Sequence, residues 1–332
     1  METQVKLTTL TIPGNLFLAP IAGFTDRAFR SICIRYGADF TFTEMVSAEG
    51  IVRNNPKTLM LLRRADNEKL LGIQIFSSSA KTAGESVKKV MDFKPDLIDL
   101  NCGCPVSKIV RTGSGAALLL EPAKIKEIVK AIKVETDRPV SVKIRSGWDS
   151  EHINYLETAK MAVEGGAEMI TLHPRTRSQG YSGRANWEHL KELKKNLPVP
   201  VIGSGDLFTT EDAIRMFEET DCNGIMFARG AIGNPPVFRQ TKRLLQRGTA
   251  SFPKNNTEDC RSFLKEKLEI ARYHLNLSIK YRGASLAVKE MKKHICAYTK
   301  GLPNSSNLRA KIAKADSVET LNQILRDYYS TI

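Results

Sequence analysis

A chain of 332 residues, 42% hydrophobic and 26% charged, has material for one large α/β domain of about 250 residues and a smaller second one. The N-terminal METQVKLTTLTIPGN lacks the charged start and apolar run of a secretory signal, and no apolar stretch reaches the roughly 18 residues of a membrane helix, so a soluble cytoplasmic protein is expected. Fifty Lys and Arg against 36 Asp and Glu leave a formal charge of +14, which favours a polyanionic partner, although a merely basic enzyme has the same composition.

In chain order, short apolar runs alternate with helix-like segments: NLFLAP, ADFTFTE, LLGIQIF, PDLIDLN, PVSVKIR, AEMITLH, PVPVIGS and CNGIMFA. Between them, PAKIKEIVKAIKVET and TTEDAIRMFEET have helical apolar spacing, with Pro122 near one start and Thr209 or Thr210 as a cap for the other. Eight βα units of this size predict a (β/α)8 TIM barrel, with a doubly wound sheet as the rival. Strand parity favours the barrel. Val140, Val142 and Ile144 share one face of their strand while Ser141, Lys143 and Arg145 share the other, and Ile73 and Ile75 oppose Gly72 and Gln74. Asp99 pairs with Asn101, and Thr171 with His173, so polar side chains gather on one face at the C-terminal strand ends, where barrels keep their active sites.

After Phe238 the strand pattern stops. QTKRLLQRGTASFPKNNTED reads as a helix end and a polar linker, which divides the chain into a barrel domain over residues 1–245 and a basic, C-terminal helical domain over residues 255–332. Lys289, Lys292, Lys293 and Lys300 lie in one helix-like run with Tyr298 among them, and the first three recur on one side, as a phosphate track or a solvated face would have them.

Two glycine-bearing turns, IGSGDL and ARGAIGNPP, follow the last two strands, where barrel enzymes commonly hold a phosphate against backbone N–H groups; Arg229 adds charge. Lys143 needs an anion, either a structural carboxylate such as Asp99 or a ligand. Gln74 and Asn101 carry the donors and acceptors that read a heterocycle edge. His173, otherwise an ordinary structural histidine, precedes a basic loop with Arg175 and Arg177. Of the six cysteines, all read as reduced thiols, Cys104 in LNCGCPVSKIVRTGSGAALLL stands in the loop leaving strand four. It is open to reading as nucleophile, acid, metal ligand or small buried residue; the spacing argues against metal, and Cys102 is the better structural candidate.

LAPIAGFTDRAFR, TEMVSAEG, NCGCPVSKIVRTGSGAALL, SVKIRSGW, HPRTRSQGYSG, GSGD and ARGAIGNP together resemble the bacterial tRNA-dihydrouridine synthases, and are most similar to the B type. KKHICAYTKGLPNSSNLRAKI extends the similarity into the C-terminal region. The resemblance implies an FMN-dependent enzyme that takes hydride from NADPH and reduces the C5=C6 bond of a uridine in tRNA, with the flavin in the barrel and the RNA on the helical domain. It implies Cys104 as proton donor to uracil, and Gln74, Lys143 and His173 as flavin contacts. By the same resemblance Asn101 stands at the reacting rings, Pro20 and Ala22 lie under the flavin, and Ser204, Gly205, Asp206, Arg229 and Gly230 form the phosphate turns. Arg175, Lys292, Lys293 and Arg309 are expected to contact RNA. The turn usually written Asn-Gly-Asp is Ser204-Gly205-Asp206 here, Ile21 replaces a frequent methionine, and Pro174 and Ala228 stand where glycine is frequent. No metal, no membrane and a monomer are expected. The alternative is an FMN barrel oxidoreductase acting on a free small molecule, against which the basic helical tail argues.

Overall fold

Each of the eight apolar runs forms a strand in the computed structural model, which describes residues 4–247 and 257–330. They are β1 (Leu16–Leu18), β2 (Phe40–Phe42), β3 (Leu71–Phe76), β4 (Leu97–Cys102), β5 (Val140–Arg145), β6 (Met169–His173), β7 (Val201–Ser204) and β8 (Gly224–Phe227). All eight pair in parallel with their neighbours in chain order, and β8 returns to β1 with Ile225 opposite Leu16, which closes the barrel and excludes the doubly wound rival. A helix follows each strand: α1 (Arg27–Arg35), α2 (Ala48–Val52), α3 (Ala80–Val90), α4 (Pro122–Val134), α5 (Tyr155–Glu164), α6 (Glu188–Asn196), α7 (Thr210–Thr220) and α8 (Val237–Arg247). Several start where a side chain meets the free N–H groups: Asp26 accepts from Phe29 before α1, and Thr209 and Asp212 form a capping box at α7. Pro122 opens α4, where its missing N–H has no partner to lose.

Alternation along the strands builds two apolar layers. Ile73, Ile75, Ile98, Leu100, Val140, Val142, Ile144, Ile170 and Leu172 are 0% exposed beneath the helices. Inside the barrel, Phe17, Phe40, Phe42, Leu97, Met169, Ile202 and Met226 pack together, joined by Val5 and Ile12 from a hairpin of Val5–Lys6 and Thr11–Ile12. Each such side chain contributes about 1.5–3 kcal/mol relative to exposure, which offsets the cost of the polar layer above it. There the register sets Gln74 opposite Asp99, Asp99 opposite Ser141, Asn101 opposite Lys143 and Arg145 opposite His173.

The C-terminal helices α9 (Thr257–Arg282), α10 (Ala284–Tyr298), α11 (Ser305–Lys314) and α12 (Val318–Tyr329) surround a separate core that includes Leu275, Met291, Ile295, Ile312, Leu321 and Leu325. This unit docks on α1, where Ala28 and Ile32 meet Ile270, Ala271, Leu277 and Tyr298. Asp66 accepts from Arg27 at 2.8 Å and from Lys280 at 2.7 Å beside the joint, and Glu266 accepts from Arg239 at 2.7 Å. The expected linker between Arg247 and Thr257 lies outside the described residues. No described helix is long and apolar enough to cross a membrane.

Candidate active site

The polar inner layer opens at the C-terminal strand ends into a cleft of about 280 Å³. Pro20 and Ala22 from the loop after β1, Cys104 from the loop after β4, Lys143 and Arg145 from β5, His173 from β6, and both late turns border it.

Cys104 is held through its backbone. Asn101 Oδ1 accepts the Cys104 N–H at 2.9 Å and the Gly103 N–H at 3.2 Å, while Asn101 Nδ2 donates to Gln74 Oε1 at 2.8 Å. Gln74 Nε2 in turn donates to Asp99 Oδ2 at 2.6 Å, and Ser141 donates to the other Asp99 oxygen. Burial pushes the Asp99 carboxyl up to about 6, against the pull of Gln74, Ser141 and Lys143. Burial likewise pushes the half-buried Cys104 thiol up, opposed by the Val106 backbone N–H and by Arg145, so the thiol is protonated at neutral pH. Cys102, 0% exposed on the outer face of β4, is part of the core.

Cations dominate the walls. Lys143 is half-buried and makes no hydrogen bond or ion pair to a described residue; burial and then Arg145 bring its ammonium down to about 8, with Asp99 resisting. Arg145 Nε donates to Gly103 O, and its Nη1 to Thr176 O and Gly180 O, all at 2.9 Å, which ties the loop after β4 to the loop after β6. Burial takes its guanidinium down to about 10. His173 is driven well below its ordinary value by burial and by Lys143, Arg145, Arg175 and Arg229, so its ring is neutral. The one carboxylate among the described residues lining the cleft, Asp206, accepts from Arg175 at 2.8 Å and lies 3.7 Å from Arg229.

Two glycines bring the late turns together. A Cβ on Gly230 would meet Leu207 O at 2.1 Å, so only glycine lets the turn after β8 pack on the turn after β7. Gly205, at φ +100°, gives its carbonyl to Trp187 Nε1 at 3.1 Å and faces His173. Ser204 donates to Met226 O at 3.0 Å and so bonds its neighbouring strand.

The fold therefore brings Pro20, Ala22, Asn101, Cys104, Lys143, His173, Ser204, Gly205, Asp206 and Arg229 to one cleft, while Gly230 packs against Leu207 and Phe208 and does not line it. Gln74 is 0% exposed and reaches the cleft only through Asn101. Arg175 is 2% exposed, with its guanidinium on Asp206 and the carbonyls of Ser182 and Gly183. Lys292, Lys293 and Arg309 lie on the helical unit: Lys292 donates to Ala313 O at 2.8 Å, Lys293 leans over the Phe24 ring at 5.1 Å, and Arg309 donates to Ser305 at 3.2 Å. Tyr298 is fully buried at the joint, 3.2 Å from His274. Residues without a role in the sequence reading also border the cleft. Arg229 stands 4.3 Å from the exposed ring of Tyr181 and 5.1 Å from that of Phe208, contacts that no periodic pattern announces because both rings sit on loops.

The family described as dihydrouridine synthase matches residues 17–331. The chain is similar to a probable tRNA-dihydrouridine synthase of Treponema pallidum, at 42% identity over 97% of this chain and 95% of that one. It is also similar to a tRNA-dihydrouridine synthase B of Pasteurella multocida, at 31% over 96% and 93%. A solved structure of histamine dehydrogenase from Rhizobium sp. 4-9 shares the barrel with a TM-score of 0.57 at 15% identity, over 82% of this chain and half of that one. Sequence match and site together assign the chain to the dihydrouridine synthase family.

Proposed function

We propose that the protein reduces uridines in tRNA to 5,6-dihydrouridine, with FMN in the barrel and NADPH as reductant. The observation that carries the reading is a thiol, Cys104, latched through its backbone by Asn101 beside Lys143 and Arg145 in a cationic cleft. The residues fit a phosphorylated flavin. Lys143, Arg145 and Arg229 border the cleft against Asp206, the one carboxylate among its described lining residues, which leaves positive charge for an anion, and the turns after β7 and β8, packed on each other at Gly230, stand at its edge.

The chemistry a bound FMN would supply, once NADPH has reduced it, is a hydride for C6 of the uracil. Cys104 holds the proton that C5 takes from the opposite face, a task that suits a thiol whose burial keeps it protonated near neutrality. Lys143 sets its ammonium toward the negative charge of the ligand, while neutral His173 adds no further repulsion among the cations. Pro20 and Ala22 would border the flavin ring, and Ser204, Gly205, Asp206, Arg229 and Gly230 would hold its phosphate end. Gln74 supports Asn101 from below, and Arg175 supports Asp206.

In this reading residues 1–245 are the catalytic domain and 255–332 the RNA-binding domain, acting as a monomer in the cytoplasm. Exposed Lys289 and Lys293, with Lys292 and Arg309, supply the basic surface. The test is mass spectrometry of tRNA lacking dihydrouridine after incubation with flavin-loaded protein and NADPH. Uridines gaining a pair of hydrogens are expected; unchanged tRNA alongside reduction of a free pyrimidine would replace this reading with the small-molecule one.

A further inference from the structure

We propose that Asp99 is a positioning residue for the reaction: as the acceptor-only end of a buried chain through Gln74 and Asn101, it aims the Asn101 carbonyl oxygen at the Cys104 loop and so sets where the thiol stands. The inference rests on the reading of Cys104 as proton donor and concerns how that donor is aimed.

A primary amide presents a donor at one end and an acceptor at the other, and both orientations fill the same space. Two amides in series, Gln74 and Asn101, therefore have two possible directions. An ionised carboxylate removes the choice, because it only accepts. Asp99 takes the Ser141 hydroxyl on Oδ1 and Gln74 Nε2 on Oδ2 at 2.6 Å. That turns Gln74 Oε1 toward Asn101, whose Nδ2 donates at 2.8 Å, and leaves Asn101 Oδ1 for the N–H groups of Gly103 and Cys104. With the run reversed, Asn101 would present an NH2 group to two N–H donors and the latch would be lost. Donor-only backbone at one end and acceptor-only carboxylate at the other thus agree on one direction.

Asp99 is 1% and Gln74 0% exposed, so water does not replace either of them, while Asn101, 7% exposed, carries the chain to the cleft. Asp99 does not line the cleft, so its effect on the thiol passes through the chain. From the other side, Arg145 Nε holds the Gly103 carbonyl at 2.9 Å, and Ala116 N–H donates to Cys104 O at 3.0 Å. The loop is pinned on both edges of its peptide groups, and the Asn101 latch is the pin whose sense depends on a charge.

The test is a rescue cycle on the flavin-loaded protein: wild type, Asp99→Asn, Gln74→Glu, and both together. The first single variant leaves the amide direction held from the backbone end alone, and the second sets two carboxylates against each other. In the double variant the new carboxylate at position 74 accepts from the new amide at position 99 and from Asn101, which restores the direction with the same charge. Cys104 labelling by iodoacetamide, read by peptide mass spectrometry, should rise severalfold in each single variant and return to the wild-type rate in the double. With tRNA, kcat should fall roughly tenfold or more in the singles, as for a misaligned reacting group, with KM unchanged, and recover in the double. A double variant labelled as fast as the singles, or singles labelled like wild type, overturns the proposal. If a single variant does not fold, the double decides alone: wild-type labelling supports the chain and fast labelling overturns it. Labelling needs no turnover, so a wild type that leaves tRNA unreduced would count against the proposed function while the cycle still judges the chain.

Discussion

Gly205 and His173 stand so close that a methyl group does not fit between them: a Cβ on Gly205 would lie 2.8 Å from His173 Cδ2. The imidazole is thus wedged between the turn after β7 and Arg175, whose Nη1 is 3.4 Å from Nε2. Gly205→Ala adds strain at a φ of +100°, worth about 1–3 kcal/mol, and displaces the ring. A lower denaturation midpoint and less flavin per protein by absorbance are expected; normal flavin content would show that the ring position is not needed for binding.

Cys104→Ala should retain flavin and NADPH oxidation while losing uridine reduction by roughly 10² to 10⁴ fold, the usual contribution of a general acid. Cys102→Ala removes only a core sulfur and should leave most activity. Because the Cys104 thiol lies above its ordinary value, wild-type tRNA reduction should hold through neutrality and fall only as alkaline pH removes the proton. Equal activity of the two variants would remove Cys104 from the mechanism.

Lys143→Met should weaken flavin binding by about 1.5–3 kcal/mol, the worth of a hydrogen bond to a charged group. The sign of the pH dependence follows from an ammonium already lowered to about 8: an anionic ligand binds the protonated lysine, so wild-type affinity is full below that value and falls as pH rises through it. Flavin titrations across this range should show the decline in wild type and none in the variant.

Replacing Lys292 and Lys293 with alanine should weaken tRNA binding and reduce the log–log salt slope by about one unit per lost phosphate contact, with NADPH oxidation unchanged. The two lysines differ in setting, Lys292 tying α10 to the end of α11 and Lys293 reaching the loop after β1. Filter binding at several salt concentrations checks the pair; an unaltered slope returns them to a purely intramolecular role.

Period and punctuation in the sequence determined the eight strands, their inner and outer faces, and the strand-end positions of Lys143, His173 and Cys104, because strand alternation and glycine turns are local properties. The Ser204-Gly205-Asp206 and Ala228–Pro236 turns were legible for the same reason. Only the tertiary structure decided which polar groups meet. Asp99, Gln74 and Asn101 form one chain because β3 and β4 pair in that register, and Arg175 finds Asp206 across the loop after β6. Tyr298, which shares a run with exposed lysines, is buried because α10 turns that face onto α9 and α1. Each of these depends on where distant segments dock, and a hydrogen bond or buried contact between them leaves no trace in local spacing.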